Sequence, residues 1–280
     1  MHLKGKKAFV TGGTEGIGAA IVTQLVARGA EVVTCARHEP GQLPGPRVSF
    51  RRCDLASAAD REALIAWLVS THPDLAVLVN NAAVQHALDF MQAGLTQIQA
   101  AASLELALNL EAPIMLSAGL LPLLARQPEA AIVNVTTGLA LAPKQSAPVY
   151  CATKAALRSF TRSLRYQVEV SAPHVRVQEV IPPLVDTRMT AGRGTGKMSP
   201  SAVAEALVTA IERGLPNLMG CIDPTGPARS RLLKHERLNG GFRVRSGGVF
   251  LEGSGLCLVV FYDINDYFVF PVVWFLYIYQ

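Results

Sequence analysis

The chain has few of the residue types that build disulfide frameworks, metal sites or nucleic-acid surfaces. Its five cysteines are odd in number and far apart, and its six histidines lack ligand spacing, so we expect reduced thiols and no metal site. Aromatic residues make up 6% and charged residues 17% of the chain, and they do not interleave on a predicted surface, which argues against a nucleic-acid partner. Residues 1–7 contain no apolar run, so we expect no secretion signal and a cytoplasmic protein.

Apolar residues, in contrast, make up half of the 280 residues, which is enough for the core of one α/β domain. The pattern predicts strands at 8–10, 31–35, 47–53, 75–79, 131–136, 175–181 and 218–222. Helices are predicted after the first strand and at 58–69, 104–124, 150–170 and 199–213, with a kink or restart at Pro113. This alternation, with strands that are apolar throughout, predicts a doubly wound parallel sheet of seven strands with helices on both faces, a Rossmann fold.

A glycine-rich loop joins the first strand to the first helix. It reads Thr11-Gly12-Gly13-Thr14-Glu15-Gly16-Ile17-Gly18. A helix start offers unpaired N–H groups and the positive end of the helix dipole, and glycines let a diphosphate come close to the backbone. The loop therefore predicts a dinucleotide site, the alternative being a tight turn without a ligand.

The residues that follow the second and third strands indicate which dinucleotide binds. Arg37 stands where a carboxylate would accept bonds from the ribose, and an arginine there can pair with a 2′-phosphate, which favours NADP over NAD. Glu15 opposes this if its carboxylate points inward, and a surface arginine is the alternative. Asp54, next to Leu55, can accept the adenine amino group or cap the following helix.

Polar residues also follow the fourth strand and begin a later helix. Asn80 and Ala82 belong to a small polar stretch that lets a cofactor pass, or simply forms a turn. Tyr150 and Lys154 lie one turn apart on one helix face, where the ammonium favours the phenolate and makes Tyr150 a plausible acid or base. A solvated helix face is the alternative for this pair.

Two further polar residues accompany them. Thr137 ends the fifth strand and can donate to a substrate oxygen. Asn109 lies in an apolar helix, where a buried amide is either a satisfied structural group or part of a proton path.

Together these motifs resemble the short-chain dehydrogenase/reductase family over about residues 6–220. The resemblance implies that Tyr150 is the acid–base catalyst, that Lys154 lowers its pKa and binds ribose, that Thr137 orients the carbonyl and that Asn109 holds a relay water. It also implies that Thr187 contacts the nicotinamide carboxamide after a segment that begins at Pro182, with residues 190–197 as a lid. The implied cofactor-binding residues are Thr11, Gly12, Thr14, Gly16, Ile17, Gly18, Arg37, Asp54, Leu55, Asn80, Ala82, Tyr150, Lys154, Pro182 and Thr187.

The sequence departs from the family pattern at three positions. Thr137 replaces a serine, and Ala83 and Pro183 stand where glycine is usual. All the catalytic groups remain, so we expect an active oxidoreductase that moves hydride between NADP(H) and a carbonyl or secondary alcohol. A catalytically inactive NADP-binding sensor or scaffold is the alternative. The expected substrate-facing segments 84–95, 138–149 and 184–198 are mostly apolar, which suits a neutral or lipophilic small molecule.

The composition changes near the end of the chain. We expect a catalytic domain at 1–222 and a tail at 223–280 that is glycine-rich and then aromatic. Residues 256–279 are mostly apolar, which favours insertion into a membrane, but two aspartates near the middle oppose it by a similar amount. A single membrane span is therefore not supported. Strands packed on the domain, a contact in a homo-oligomer, or a segment under no selection for folding are the other interpretations. We expect a homo-oligomer.

Overall fold

A computed structural model of the chain describes residues 1–219. The predicted boundary at 222 and the tail at 223–280 lie outside these residues and stay predictions.

The described part contains a parallel sheet of seven strands, which confirms the predicted fold class. The strands are β1 (Lys7–Thr11), β2 (Glu31–Ala36), β3 (Val48–Arg52), β4 (Leu75–Asn80), β5 (Ala130–Val135), β6 (Val175–Ile181) and β7 (Asn217–Met219). Their order across the sheet is β3-β2-β1-β4-β5-β6-β7. The order reverses at β1, which pairs with both β2 and β4, and sheets of this type bind ligands outside the carboxyl ends of the strands at such a reversal.

Helices cover the sheet. They are α1 (Gly16–Ala27), α2 (Ala58–Thr71), α3 (Leu95–Leu106), α4 (Ala112–Leu124), α5 (Pro148–Ser171) and α6 (Pro200–Arg213). A π-helical segment at Ala107–Glu111 joins α3 to α4. The predicted helix at 104–124 was therefore wrong in its start, because the part of α3 before 104 has few buried residues and gives no clear apolar stripe. The interruption also precedes Pro113, which lies in the first turn of α4, where proline is tolerated.

Two apolar cores hold the helices on the sheet. On one face, Ile21 and Leu25 of α1 pack with Leu207 and Ile211 of α6. On the other face, the buried residues come from α2, α4 and α5. They include Leu64, Leu68, Leu116, Leu120, Leu164 and Val168. Full burial of a leucine side chain contributes about 1.5–3 kcal/mol, so these layers fix the strand ends from which the site is built.

The combined helix from Leu95 to Leu124 is long and apolar enough to cross a membrane by length and composition alone. Core helices pass the same test. Leu116, Leu120 and Leu124 on its second half are fully buried against the sheet, so this half serves as a core helix.

Candidate active site

The glycine loop forms a groove that side chains would fill. Gly12 and Gly16 have φ angles of +66° and +55°, a backbone conformation that residues with a side chain adopt only with strain. A Cβ on Gly18 would lie 2.0 Å from the carbonyl oxygen of Gly12, and one on Gly16 would lie 3.3 Å from Thr187 Cγ2. Because the loop excludes side chains at the start of α1, it fits a diphosphate bound to the helix N-terminus.

Thr11 ties the ends of β1 and β4 together beneath this loop. Its Oγ1 accepts hydrogen bonds from the backbone N–H groups of Asn81 and Ala82, at 2.9 and 3.0 Å, and donates to Val79. Asn81 Nδ2 donates to the carbonyl oxygen of Thr11 at 3.0 Å. These bonds explain how Thr11 and Ala82 come to lie beside Gly12. The remaining predicted loop residues, Thr14 and Ile17, are partly exposed, and Ile17 also packs on the core.

The two asparagines after β4 have different surroundings. Asn80 is buried within the sheet, where its Nδ2 donates to Asn134 Oδ1 at 2.8 Å. Its side chain therefore supports the core, and its predicted contact with the cofactor stays a prediction. Asn81, which sequence reasoning did not select, holds the glycine loop instead. Successive side chains of an extended segment point to opposite faces, and this alternation was the signal in the sequence that Asn80 and Asn81 have different surroundings.

The adenosine end of the groove carries two arginines. Arg37 follows β2 and is exposed, as predicted from its position. The register of β2 and β3 places Arg52 beside Ala36, so a second exposed arginine lies next to Arg37. Within residues 1–219, neither guanidinium has a carboxylate at ion-pair distance. Sequence reasoning missed Arg52, although it ends the strand next to the one that leads to Arg37.

Two acidic residues near this end have local partners. Glu15 pairs with Arg188 at 3.0 Å, so its charge is partly balanced from the side of the lid. Asp54 Oδ1 accepts a bond from the N–H of Ala56 at 3.0 Å. The alternative that Asp54 caps α2 was wrong, because Ser57 is the N-cap and its hydroxyl accepts from Asp60. The neighbouring Leu55 is buried in the core.

Tyr150 and Thr137 meet at the carboxyl end of β5. Their hydroxyl groups lie close enough to interact, and Tyr150 is only 8% exposed. Burial, together with the nearby Cys151 and Glu105, raises the pKa of Tyr150 to about 12, against the smaller lowering effects of Thr137 and Arg193. The expected lowering of this pKa by Lys154 is therefore not what the described chain shows, because desolvation of the phenolate outweighs the neighbouring charges.

Lys154 lies one helical turn after Tyr150 and is buried. Its Nζ donates a hydrogen bond to the carbonyl oxygen of Val135 at 2.8 Å. Burial lowers the pKa of Lys154 to about 8. The Lys154 amino group thus lies at the end of β5, and in mildly alkaline solution a large fraction of the Lys154 side chains is deprotonated and neutral.

Asn109 lies in the π-helical segment, a feature that is frequent at functional sites. Its Oδ1 accepts from the N–H of Val84 and its Nδ2 donates to the carbonyl oxygen of Val84, both at 2.9 Å. The same Nδ2 lies 3.3 Å from Thr153 Oγ1. The amide is thus a satisfied group that anchors the loop after β4, and the relay role stays a prediction.

Glu105, one turn before Asn109, holds the same loop. It is fully buried, and its Oε1 accepts bonds from the N–H of His86 at 2.5 Å and from His86 Nδ1 at 3.1 Å. Sequence reasoning missed this pair. The signal was available in the spacing of Glu105 and Asn109, which places two polar side chains on one face of an apolar helix.

The sequence profile of the short chain dehydrogenase family matches residues 6–197. The chain belongs to this family. The uncharacterized oxidoreductase DltE of Bacillus subtilis (strain 168) is 42% identical over 191 residues, which cover 67% of this chain and 74% of that protein. Dehydrogenase/reductase SDR family member 4 of Homo sapiens is 30% identical over 193 residues, 66% of this chain and 68% of that protein.

Solved structures of short-chain dehydrogenases share the fold. One from Burkholderia cenocepacia J2315, in complex with NADP, has a TM-score of 0.70 and 27% identity, covering 79% of this chain and 90% of that chain. One from Burkholderia phymatum, in complex with NAD, has a TM-score of 0.70 and 20% identity, covering 78% and 90%. The family is one of oxidoreductases that use nicotinamide cofactors, and these two structures contain different ones.

The lid expected of a short-chain dehydrogenase lies after β6. Pro182 is buried at its start, and Thr187 caps a short 3₁₀ helix, Arg188–Thr190, next to Gly16. Further along, Arg193 donates a hydrogen bond to Gln85 Oε1, so the segment 190–197 contacts the loop after β4. The predicted lid thus faces the loop that Asn109 and Glu105 hold.

Proposed function

We propose that this chain transfers hydride between NADP(H) and a carbonyl or secondary alcohol, with Tyr150 as the proton donor or acceptor. One observation carries the proposal. The Tyr150 hydroxyl is buried beside the Thr137 hydroxyl, one turn from Lys154, at the end of the sheet where the glycine groove opens.

The bound cofactor supplies or accepts the hydride. In reduction, the hydroxyls of Thr137 and Tyr150 donate hydrogen bonds to the carbonyl oxygen, on which negative charge develops. Tyr150 then gives its proton to that oxygen. With a pKa of about 12, Tyr150 carries its proton near neutral pH, which is the form that a general acid needs, but it is a weaker proton donor than an ordinary phenol. Lys154 would hold the ribose of the cofactor from the end of β5, in the role that the family resemblance implies.

Charge at the adenosine end supports NADP rather than NAD. Arg37 follows the end of β2 and Arg52 ends β3 beside Ala36, so two guanidinium groups lie at the strand ends where a 2′-phosphate would bind. Glu15 has Arg188 as an ion-pair partner, which weakens its repulsion of that phosphate. We also propose that the protein acts in the cytoplasm as a homo-oligomer.

The experiment replaces Tyr150 by Phe and follows NADPH oxidation with a panel of ketones. We expect a loss of at least about 100-fold in kcat, as for removal of a general acid, with NADPH binding retained. The matched control is Tyr166→Phe on the exposed face of the same helix, which should leave the rate unchanged. Equal rates for Tyr150→Phe and the wild type would remove Tyr150 from the mechanism.

The alternative, an NADP-binding protein without catalysis, rests on Thr137 in place of serine, on Ala83 in place of glycine and on the atypical composition of residues 223–280. Tight NADPH binding by the wild type without turnover of any carbonyl in the panel would favour it. The proximity of the Thr137 and Tyr150 hydroxyl groups favours the enzyme.

A further inference from the structure

The loop after β4 presents one side chain toward the lid. Val84 is bound by Asn109 and His86 by Glu105, so alternate residues are fixed to the same helix. The residue between them, Gln85, accepts a hydrogen bond from Arg193 instead. The loop therefore holds Gln85 in a defined position against the segment 190–197.

Two basic residues, Arg193 and Lys144, lie near the start of α5, where Arg193 acts on Tyr150 and Lys144 acts on Cys151. Within residues 1–219, no carboxylate lies at ion-pair distance from Arg193 or Lys144. Other cations of the lid are paired, since Arg188 contacts Glu15 and Lys197 contacts Asp186. Free cations that converge beside a buried site are a typical arrangement for binding an anion.

Electrostatic effects show that the two cations are close to one another and that Arg193 is close to Tyr150. Burial lowers the pKa of Lys144, and the positive charge of Arg193 lowers it further. The charge of Arg193 also favours the ionised form of Tyr150 and so lowers the Tyr150 pKa. Because like charges repel, an anion placed between Arg193 and Lys144 would relieve an unfavourable interaction.

Gln85 provides an independent indication of a ligand. Its Nε2 is buried and has no hydrogen-bond partner in the described part of the chain, although its Oε1 accepts from Arg193. A buried donor without an acceptor is unfavourable, so a bound acceptor is expected to satisfy it. Carboxylate and phosphate oxygens accept such bonds and pair with guanidinium groups.

We propose that Arg193, Lys144 and Gln85 form a subsite for an anionic oxygen group of the substrate, so that the substrate is an oxo acid whose carbonyl reaches Tyr150. This inference rests on the proposed function. It revises the expectation of a neutral substrate, because folding brings Lys144 of segment 138–149 close to Arg193 of segment 184–198. Glu105 is also near Tyr150, but it is fully buried and does not line the surface that a substrate would contact.

The experiment compares ketones of equal chain length that end in a carboxylate, a methyl ester or a phosphonate. NADPH oxidation is followed for the wild type, Arg193→Gln, Lys144→Gln and the control Arg162→Gln, which removes a charge from an exposed position on α5. We expect kcat/KM to favour an anionic ketone over its ester, and each subsite variant to lose about 10- to 100-fold on the anion only. The preferred anion tells carboxylate from phosphate recognition.

Two results would overturn the inference while leaving the proposed function intact. One is an ester reduced as well as the anions at every chain length, and the other is an anion preference that survives in both subsite variants. If no ketone is turned over, the proposed function fails. The inference about the anion subsite is then tested by the binding of an anion to the complex with NADPH. The ketones of the panel that end in a carboxylate are then titrated into the complex with NADPH. They should change the fluorescence of bound NADPH in the wild type and in Arg162→Gln, but not in Arg193→Gln. No change in the wild type would refute it.

Discussion

Glu105 and His86 are joined by two hydrogen bonds to a single oxygen, Glu105 Oε1, at 2.5 Å from the backbone N–H and 3.1 Å from the ring Nδ1. The second oxygen, Oε2, is buried without a hydrogen-bond partner among residues 1–219. A buried carboxylate with one oxygen unsatisfied costs stability, and the negative charge of this one raises the pKa of the nearby Tyr150.

The first prediction concerns this carboxylate. Glu105→Gln keeps an oxygen that can accept from His86 but removes the negative charge that raises the pKa of Tyr150. We therefore expect the alkaline limb of the reduction profile, which follows ionisation of Tyr150, to move to lower pH. The measurement is kcat against pH with a fixed ketone. Glu62→Gln, at an exposed position of α2, is the control, and an unmoved limb in Glu105→Gln would refute the effect.

The second prediction tests the adenosine end. Replacing Arg37 or Arg52 by Ala removes a guanidinium from the proposed 2′-phosphate contact, and a lost charge-assisted hydrogen bond should raise the KM for NADPH about 10- to 100-fold. The KM for NADH, which has no 2′-phosphate, should change little. Arg126→Ala, after the end of α4, is the control. Equal effects on both cofactors would contradict NADP selection by these arginines.

The features that could be predicted from sequence were those that depend on residues close to one another along the chain. The parallel sheet followed from the alternation of apolar strands and helices, and the glycine loop at the start of α1 from its position after β1. Tyr150 and Lys154 lie on one helix, so their proximity required only helical spacing. Their burial did not follow from spacing, and it is burial that raises one pKa and lowers the other.

Features that depend on contacts between distant segments could not be predicted. The pairing of Arg52 with the end of β2 required the strand register. The approach of Arg193 to Gln85 joins residues 108 positions apart. The start of α3 at Leu95 was missed because its first turns are mostly exposed and carry no continuous apolar stripe.

The third prediction tests the glycine groove. Gly18→Ala places a Cβ 2.0 Å from the Gly12 carbonyl oxygen, so the backbone at the start of α1 must shift. Overpacking of this kind costs about 1–3 kcal/mol, and we expect lower stability together with weaker NADPH binding. Urea unfolding and NADPH titration measure the two effects. Gly41→Ala, where a Cβ would meet nothing within 4 Å, should match the wild type in both. Unchanged NADPH affinity in Gly18→Ala would show that the groove does not bind the cofactor.

The fourth prediction links Lys154 to the pH dependence of stability. Its folded pKa, about 8, lies below the model-compound value of 10.5, so between these values the unfolded chain binds more protons than the native one. Stability should therefore rise with pH across this window and fall as pH drops through about 8. Lys154→Met is of similar length and does not titrate, so it lacks this contribution. The stability of the wild type relative to Lys154→Met should rise by about 2 kcal/mol between about pH 7 and pH 9.5.

Urea unfolding of both proteins at the two pH values gives this difference directly. Tyr150 is unchanged in the variant, so its titration in the unfolded chain largely cancels in the comparison. Lys4→Met, at an exposed position, is the control and should show no such rise. A difference between wild type and Lys154→Met that is independent of pH would mean that the ammonium is not desolvated at the end of β5. The assignment of Lys154 as a buried, partly neutral group beside Tyr150 would then be wrong.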